Sequence, residues 1–184
     1  IIMGWAFESN QIKQLKLPKN IEIIGDWAFA NNKIEILDLS YCINLKNIER
    51  FAFKENQIKQ LKLPQTIENI NNFVFENNQI KSLDLSQYIH LKYIGDYSFG
   101  SNQIKELKLP ENIEIIGSES FLINKIETLD LSSCINLNII NECAFESNQI
   151  KQLKLPKNIE ILDKYTFSVN QIEILDLSNC IKLK

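Results

Sequence analysis

The side chains with most chemistry to offer are a column of alternating charges and four cysteines. Lys16, Asp38, Lys62, Asp84, Lys108, Asp130, Lys154 and Asp176 recur at intervals of 22 or 24 residues with strictly alternating sign. Each stands between two leucines, as Lys16 does between Leu15 and Leu17. Apolar residues at every second position put both leucines on one face of a short strand and the charge on the other. Like charges about 5 Å apart on neighbouring strands would repel by about 0.8 kcal/mol at water's dielectric and about 3 kcal/mol at an effective value of 20, and alternation turns that repulsion into attraction. A flanking column, Lys13, Glu35, Lys59, Lys81, Lys105, Glu127, Lys151 and Glu173, alternates less strictly. The eight Lys and Asp residues are therefore candidates for a charge-striped binding face, and equally for a self-neutralised sheet surface.

The cysteines offer disulfide or metal chemistry, and their spacing opposes both. Cys42, Cys134 and Cys180 occupy the position that Asn20, Asn112 and Asn158 hold in other copies of the same motif. On parallel strands roughly 4.8 Å apart they stand two or more rungs from one another, roughly 10 Å at least. A disulfide needs Cα atoms within about 7 Å. Cys143 lies in a different column, so four free thiols are expected, three of them buried. That suits a reducing compartment without requiring one. The lone histidine, His90, falls in a surface insertion. No phosphate-cradling glycine loop, calcium-binding loop, nucleophile elbow or HExxH motif occurs, and no cofactor, metal site or enzymatic activity is expected. The net charge of −3 argues against nucleic acid, and no apolar run approaches a membrane span.

What must position these residues is a repeat. The 184 residues divide into four rows of 46 that align without a gap, beginning at Ile1, Asn47, Tyr93 and Ile139. Each row divides again into units of 22 and 24 residues, such as LKLPKNIEIIGDWAFANNKIEI from Leu15 and LDLSYCINLKNIERFAFKENQIKQ from Leu37. The longer form carries two extra residues before the isoleucine that precedes its aromatic pair. Phe7, Phe29, Phe53, Phe75, Phe99, Phe121, Phe145 and Phe167 form one recurring column, and the isoleucines from Ile12 to Ile172 form another. No unit can bury its apolar residues alone, so the units must stack around a shared core. Asn10, Asn32, Asn56, Asn78, Asn102, Asn124, Asn148 and Asn170 recur at one turn, where asparagine tolerates left-handed backbone and can bond to nearby backbone groups. Residues 1–184 read as one array of eight units. With no polar capping unit at either end, a longer array or end-to-end stacking of copies is expected.

Ile12 to Asn20 fits LxxLxLxxN, Ile34 to Cys42 fits its cysteine variant, and Ile23 to Phe29 contains IGxxAF. These motifs resemble the BspA-like, Treponema-type leucine-rich repeat over the whole chain, although the turn after AF carries asparagine where that subclass often has cysteine. The resemblance implies an α/β, β-rich solenoid: a right-handed curved coil with a parallel β-sheet on its concave side and short helical or irregular segments on its convex side. It also implies a non-enzymatic protein-interaction or adhesion module at a cell or virion surface, with the concave Lys/Asp column as the binding face. The alternative is a structural spacer or fibre-forming array without a discrete ligand site.

Two further features qualify as candidate sites. The residues two before each recurring phenylalanine include Trp5, Trp27, Phe51, Phe73, Tyr97 and Tyr165, broken by Glu119 and Cys143. They read as convex-side packing or as an aromatic ridge for another protein or a glycan. In the second row the ladder positions hold Thr66 and Tyr88 beside Gln65, Gln87 and His90. Tyr88 in place of a small buried residue predicts a local bulge, and these five residues make either harmless drift or a recognition patch.

Overall fold

A computed structural model describes residues 1–184. The segment just before each aromatic pair forms two-residue strands, β1 (Ile23–Ile24), β3 (Asn47–Ile48), β5 (Asn69–Ile70), β7 (Tyr93–Ile94), β9 (Ile115–Ile116), β11 (Ile139–Ile140) and β13 (Ile161–Leu162), which pair in parallel as one seven-stranded sheet. The leucine pairs form three-residue strands, β2 (Ile36–Asp38), β4 (Gln60–Lys62), β6 (Ser82–Asp84), β8 (Glu106–Lys108), β10 (Thr128–Asp130) and β12 (Gln152–Lys154). Register is unit to unit, with Leu37 on Leu61 and Ile48 on Ile70. The result is a parallel β-solenoid whose core is one continuous cluster from Ile21 to Cys180.

The phenylalanine column is the spine of that core. Neighbouring rings from Phe7 to Phe167 stack with centroids 5.2–5.9 Å apart, and the six from Phe29 to Phe145 are almost wholly inaccessible. Burying such a ring is worth about 1.5–3 kcal/mol.

The expected helical segments, and with them the α/β description, are not found: the coil contains no helix. The reason lies in where the amides point. Trp27, Phe29 and Asn31 donate their N–H groups to the carbonyls of Arg50, Ala52 and Lys54 in the next turn, and only Ala28 and Ala30 bond within their own. Alternate donors thus leave the segment, whereas a helix keeps its donors inside. Two residues per turn also have positive φ, such as Trp27 (60°) and Asn31 (54°). The left-handed backbone is not at the recurring asparagine. It falls one residue earlier, at Ser9, Asn31, Glu55, Asn77, Ser101, Ile123, Ser147 and Val169, and again along the aromatic column. The inter-turn amide bonds fix the chain there whatever side chain it carries. Nor do the glycines serve as left-handed turn residues, for none has positive φ. A Cβ on Gly95 or Gly117 would meet the preceding turn's backbone at 2.6 or 2.7 Å, so close approach of turns accounts for these two.

The recurring asparagine has a different task, to bind the turns together. Asn102 Nδ2 donates to the carbonyls of Phe99 (3.2 Å) and Gly100 (3.3 Å) in its own turn and of Phe75 (2.9 Å) in the preceding one, while its Oδ1 accepts the Ile80 N–H at 3.0 Å. Asn32, Asn56, Asn78, Asn124 and Asn148 repeat the pattern, and like Asn102 they are buried.

The leucine-pair sheet departs from expectation. It is not continuous: β2 pairs with β4, β6 with β8 and β10 with β12, and no ladder joins β4 to β6 or β8 to β10. Steps from a long unit to the next short one are closed, and steps from short to long are open, save for a single bridge between Gln14 and Ile36 at the first of them. At closed steps the Leu39, Leu85 and Leu131 amides extend the ladder by donating to Lys62, Lys108 and Lys154. At the first two open steps the corresponding Leu17 and Leu63 amides donate instead to the hydroxyls of Tyr41 (3.0 Å) and Tyr88 (3.1 Å), which stand in the enlarged loops of the long units.

Two substitutions check these assignments. Asn102→Ala orphans buried groups in two turns and is expected to cost about 3 kcal/mol or more. Ile123→Asn relieves a β-branched residue at φ 53°, more than half exposed, and is expected to gain about 1 kcal/mol. Chemical denaturation of both variants measures the two changes.

Candidate functional site

On the leucine-pair face the alternating charges pair in twos. Lys62, Lys108 and Lys154 lie 3.7, 3.3 and 3.2 Å from Asp38, Asp84 and Asp130, always across a closed step. Lys59 reaches Glu35 at 2.9 Å across the same kind of step. On this face no ion pair spans an open step, and neither Lys16 nor Asp176 has an ionic partner, although Arg50–Asp26 and Lys184–Glu160 cross such steps elsewhere on the coil. The mutual attraction expected along the whole column therefore acts within each closed pair. All of these side chains are well exposed, where an ion pair is worth about 0–1 kcal/mol.

Each aspartate is held by its own turn. Asp38, Asp84 and Asp130 accept both the N–H and the hydroxyl of Ser40, Ser86 and Ser132, the hydroxyl bonds being 2.6, 2.6 and 2.5 Å long. Asp176 accepts the Ser178 N–H at 2.9 Å. The serine hydroxyl is the largest influence holding all four carboxyls below the usual aspartate range. Sequence reading passed over these serines, although the fourfold recurrence of Asp-Leu-Ser was available as a signal.

Three of the four open steps form clefts. Lys13, Lys16, Glu35, Asp38, Ile36 and Tyr41 line one of about 610 Å³. Lys151, Lys154, Glu173 and Asp176 line another of about 480 Å³, and Lys105, Lys108 and Glu127 a third of about 430 Å³. In the first two a basic wall from the short strand faces an acidic wall from the long one, and in the third Glu106 stands among the lysines of the short-strand wall. One leucine of the short strand, Leu15, Leu153 or Leu107, lies in each, joined by Ile36 in the first and Ile174 in the second.

The aromatic column is ordered differently from a free ridge. Trp27, Phe51, Phe73 and Tyr97 stack face to face with centroids 4.3, 4.6 and 4.8 Å apart. Lys54 Nζ stands 5.7–5.9 Å from three of these rings and 2.8 Å from Glu76. The ring faces that a sugar would stack on are occupied by neighbouring rings, and only edges look outward. The Glu119 carboxylate beside Tyr97, together with burial, pushes that hydroxyl up to about 12. Trp5 and Tyr165 lie outside the stack and are exposed.

The second-row patch divides. Tyr88 is buried, and its loop keeps the bonds of its counterparts: Tyr88 N–H to Leu85 and Leu91 N–H to Tyr88, as at Cys42 and Cys134. There is no bulge, because the ring runs inward and its hydroxyl takes the Leu63 amide. Thr66 bonds the Leu45 carbonyl at 2.7 Å. Only Gln65, Gln87 and His90 remain at the surface, the two glutamines joined at 3.1 Å. All four cysteines are free, and Cys42, Cys134 and Cys180 are buried. Burial raises the Cys42 thiol and pushes Cys134 up to about 11; burial and Glu146 push Cys143 up to about 12, so these thiols stay protonated at neutral pH.

Parallel turns, a recurring leucine-pair strand and buried cysteines closing the LxxLxLxxC motif at Cys42, Cys134 and Cys180 define a leucine-rich-repeat solenoid. The chain belongs to the BspA type leucine rich repeat family, whose profile matches residues 1–91 and 85–183 with six copies of the repeat. Among solved structures it is similar to the functional domain of InlJ from Listeria monocytogenes, described as including a cysteine ladder. The TM-score is 0.63 and the identity 22%, over 89% of this chain and 33% of that one. This likeness shows the fold. No curated protein matches the chain.

Because native Asp84 and Asp130 ionise below the unfolded value of about 3.9, the stability they confer is complete above it and is lost as pH falls through the depressed native value. Ser86→Ala with Ser132→Ala is expected to raise both native values and flatten the acid-side loss. Carboxyl NMR titration and denaturation between neutral and acid pH read the two effects.

Proposed function

We propose that the chain is a protein-interaction and adhesion module that holds an extended polypeptide segment across its leucine-pair face. The observation that carries this reading is the recurring open step: a cleft with a basic wall and an acidic wall and no ion pair joining them. A polypeptide supplies both signs of charge along its length, together with apolar side chains for the leucines and isoleucines that lie in the clefts. Because both walls belong to rigid turns, the ordering cost of binding falls mainly on the partner. Membership of the BspA-type family supports interaction as the task.

The spacer reading draws on a specific observation as well: the closed pairs Asp38–Lys62, Asp84–Lys108 and Asp130–Lys154 are nearly identical, as in a surface designed for uniformity. Electron microscopy separates the two, since a spacer shows regular assemblies without a bound partner. The stacked rings from Trp27 to Tyr97 close their shared faces to a glycan, and the partner proposed is protein.

The test is solid-phase binding to a panel of purified matrix proteins. Lys105→Glu with Lys108→Glu is expected to weaken binding roughly tenfold or more while leaving the melting temperature in place. Equal binding by the variant, or no binding to any member of the panel, rejects the adhesion reading.

A further inference from the structure

The two residues that distinguish long units from short ones are Ile43-Asn44, Ile89-His90, Ile135-Asn136 and Ile181-Lys182. In every case the inserted isoleucine faces solvent, at 60, 59, 51 and 84% exposure. Four apolar side chains thus form a stripe along one corner of the solenoid, two rungs or roughly 10 Å apart. The short units have no residue there.

The stripe is held outward. Ile43 N–H donates to the Lys19 carbonyl of the preceding turn at 3.0 Å. The carbonyls of Ile89 and Ile135 accept the side chains of Asn112 and Asn158 in the following turn, at 3.0 and 2.9 Å. A polar side chain would satisfy the same backbone bonds, so the fold itself does not call for isoleucine at these positions.

Beside the stripe runs a second charge ladder, one residue per unit: Glu22, Lys46, Glu68, Lys92, Glu114, Asn138, Glu160 and Lys184. Its exposed partners meet at 2.8 Å (Lys46–Glu68), 2.9 Å (Lys92–Glu114) and 2.9 Å (Lys184–Glu160). Isoleucine and charge therefore alternate in phase with unit length, and this decides what fits the corner. Under a two-fold axis midway between a short and a long unit, every long unit of one copy faces a short unit of the other. Ile89 then enters the gap at the second copy's Asn112, and Ile135 the gap at its Thr66. The same operation sets Lys92 against Glu114, Lys46 against Glu160 and Lys184 against Glu22. Only the outermost Lys19 and Lys182 meet as like charges. A parallel pairing in register would put isoleucine against isoleucine and lysine against lysine throughout.

We propose that this corner is an isologous interface on which a second copy of the chain docks side by side and antiparallel, its isoleucines interleaved with those of the first. Such an interface is self-complementary in shape and in charge, as a closed two-fold contact requires. None of its isoleucines or ladder charges lines the clefts of the leucine-pair face.

Sedimentation velocity on the 184-residue chain, from micromolar to millimolar concentration, is the test. A reversible dimer is expected, and Ile89→Thr with Ile135→Thr is expected to weaken it roughly 100-fold without altering the melting temperature. Lys92→Glu should weaken it as well, and adding Glu114→Lys should restore it. A chain that stays monomeric overturns the proposal. So does association that survives loss of Ile89 and Ile135, which would mark contact through the terminal turns, and so does a Lys92→Glu defect that the charge swap leaves in place.

Discussion

Everything in this molecule depends on a primary amide that serves two turns at once. An irregular segment buried against a core has backbone groups that neither strand nor helix satisfies, and each orphan costs about 1–3 kcal/mol. Asn102 answers three carbonyls and one N–H with a single side chain, and two of those four partners belong to the turn before. No turn is complete without its neighbour. The left-handed residues are tolerated for the same reason, since the inter-turn amides leave the backbone no other path there. The stacked phenylalanines and the isoleucine and leucine columns around them supply the burial. The asparagine ladder decides that it is achieved by a coil of identical turns.

Unit length is the second constraint. Were all units equal, every step would be equivalent and the leucine-pair sheet would run unbroken. The insertion of two residues in alternate units makes the period two turns. Closed and open steps, paired and unpaired charges and the stripe of inserted isoleucines all follow that doubled period. Sidedness arises from it too: a pair of turns is the unit that presents an acidic wall to one neighbour and a basic wall to the other. Electrostatics follow the geometry here, since Lys62 has an aspartate on both sides in the sequence pattern and reaches the one across the closed step.

Features that recur once per turn with the same residue type were open to reading. The phenylalanine column, the unpaired cysteines and the turn role of the asparagine are of this kind, since neighbouring rungs force like residues into like surroundings. Features that depend on how unlike units meet were not. The seven-stranded sheet was hidden because strands of two residues are too short to show alternation. The broken leucine-pair sheet was hidden because pairing depends on the enlarged loops, where Tyr41 and Tyr88 intercept amides from outside and from inside the coil. The helical segments came from resemblance alone; the direction of the Trp27 and Phe29 amides rules them out. Left-handed backbone was placed one residue late because Glu55, Ile123 and Val169 carry no propensity for it.

The candidate site was legible by residue and illegible by relation. Lys and Asp alternate in the sequence as though each were equally close to both neighbours, and that equality made a uniform, self-neutralised surface as plausible as a binding face. Open steps remove the equality. A uniform ladder would leave a ligand nothing to distinguish one rung from another, whereas an array of closed pairs separated by clefts offers discrete positions at a fixed interval. The interval is twice the rung spacing, or roughly 10 Å. On the proposed reading, a polypeptide that engaged more than one of these clefts would gain affinity by repetition of one modest contact.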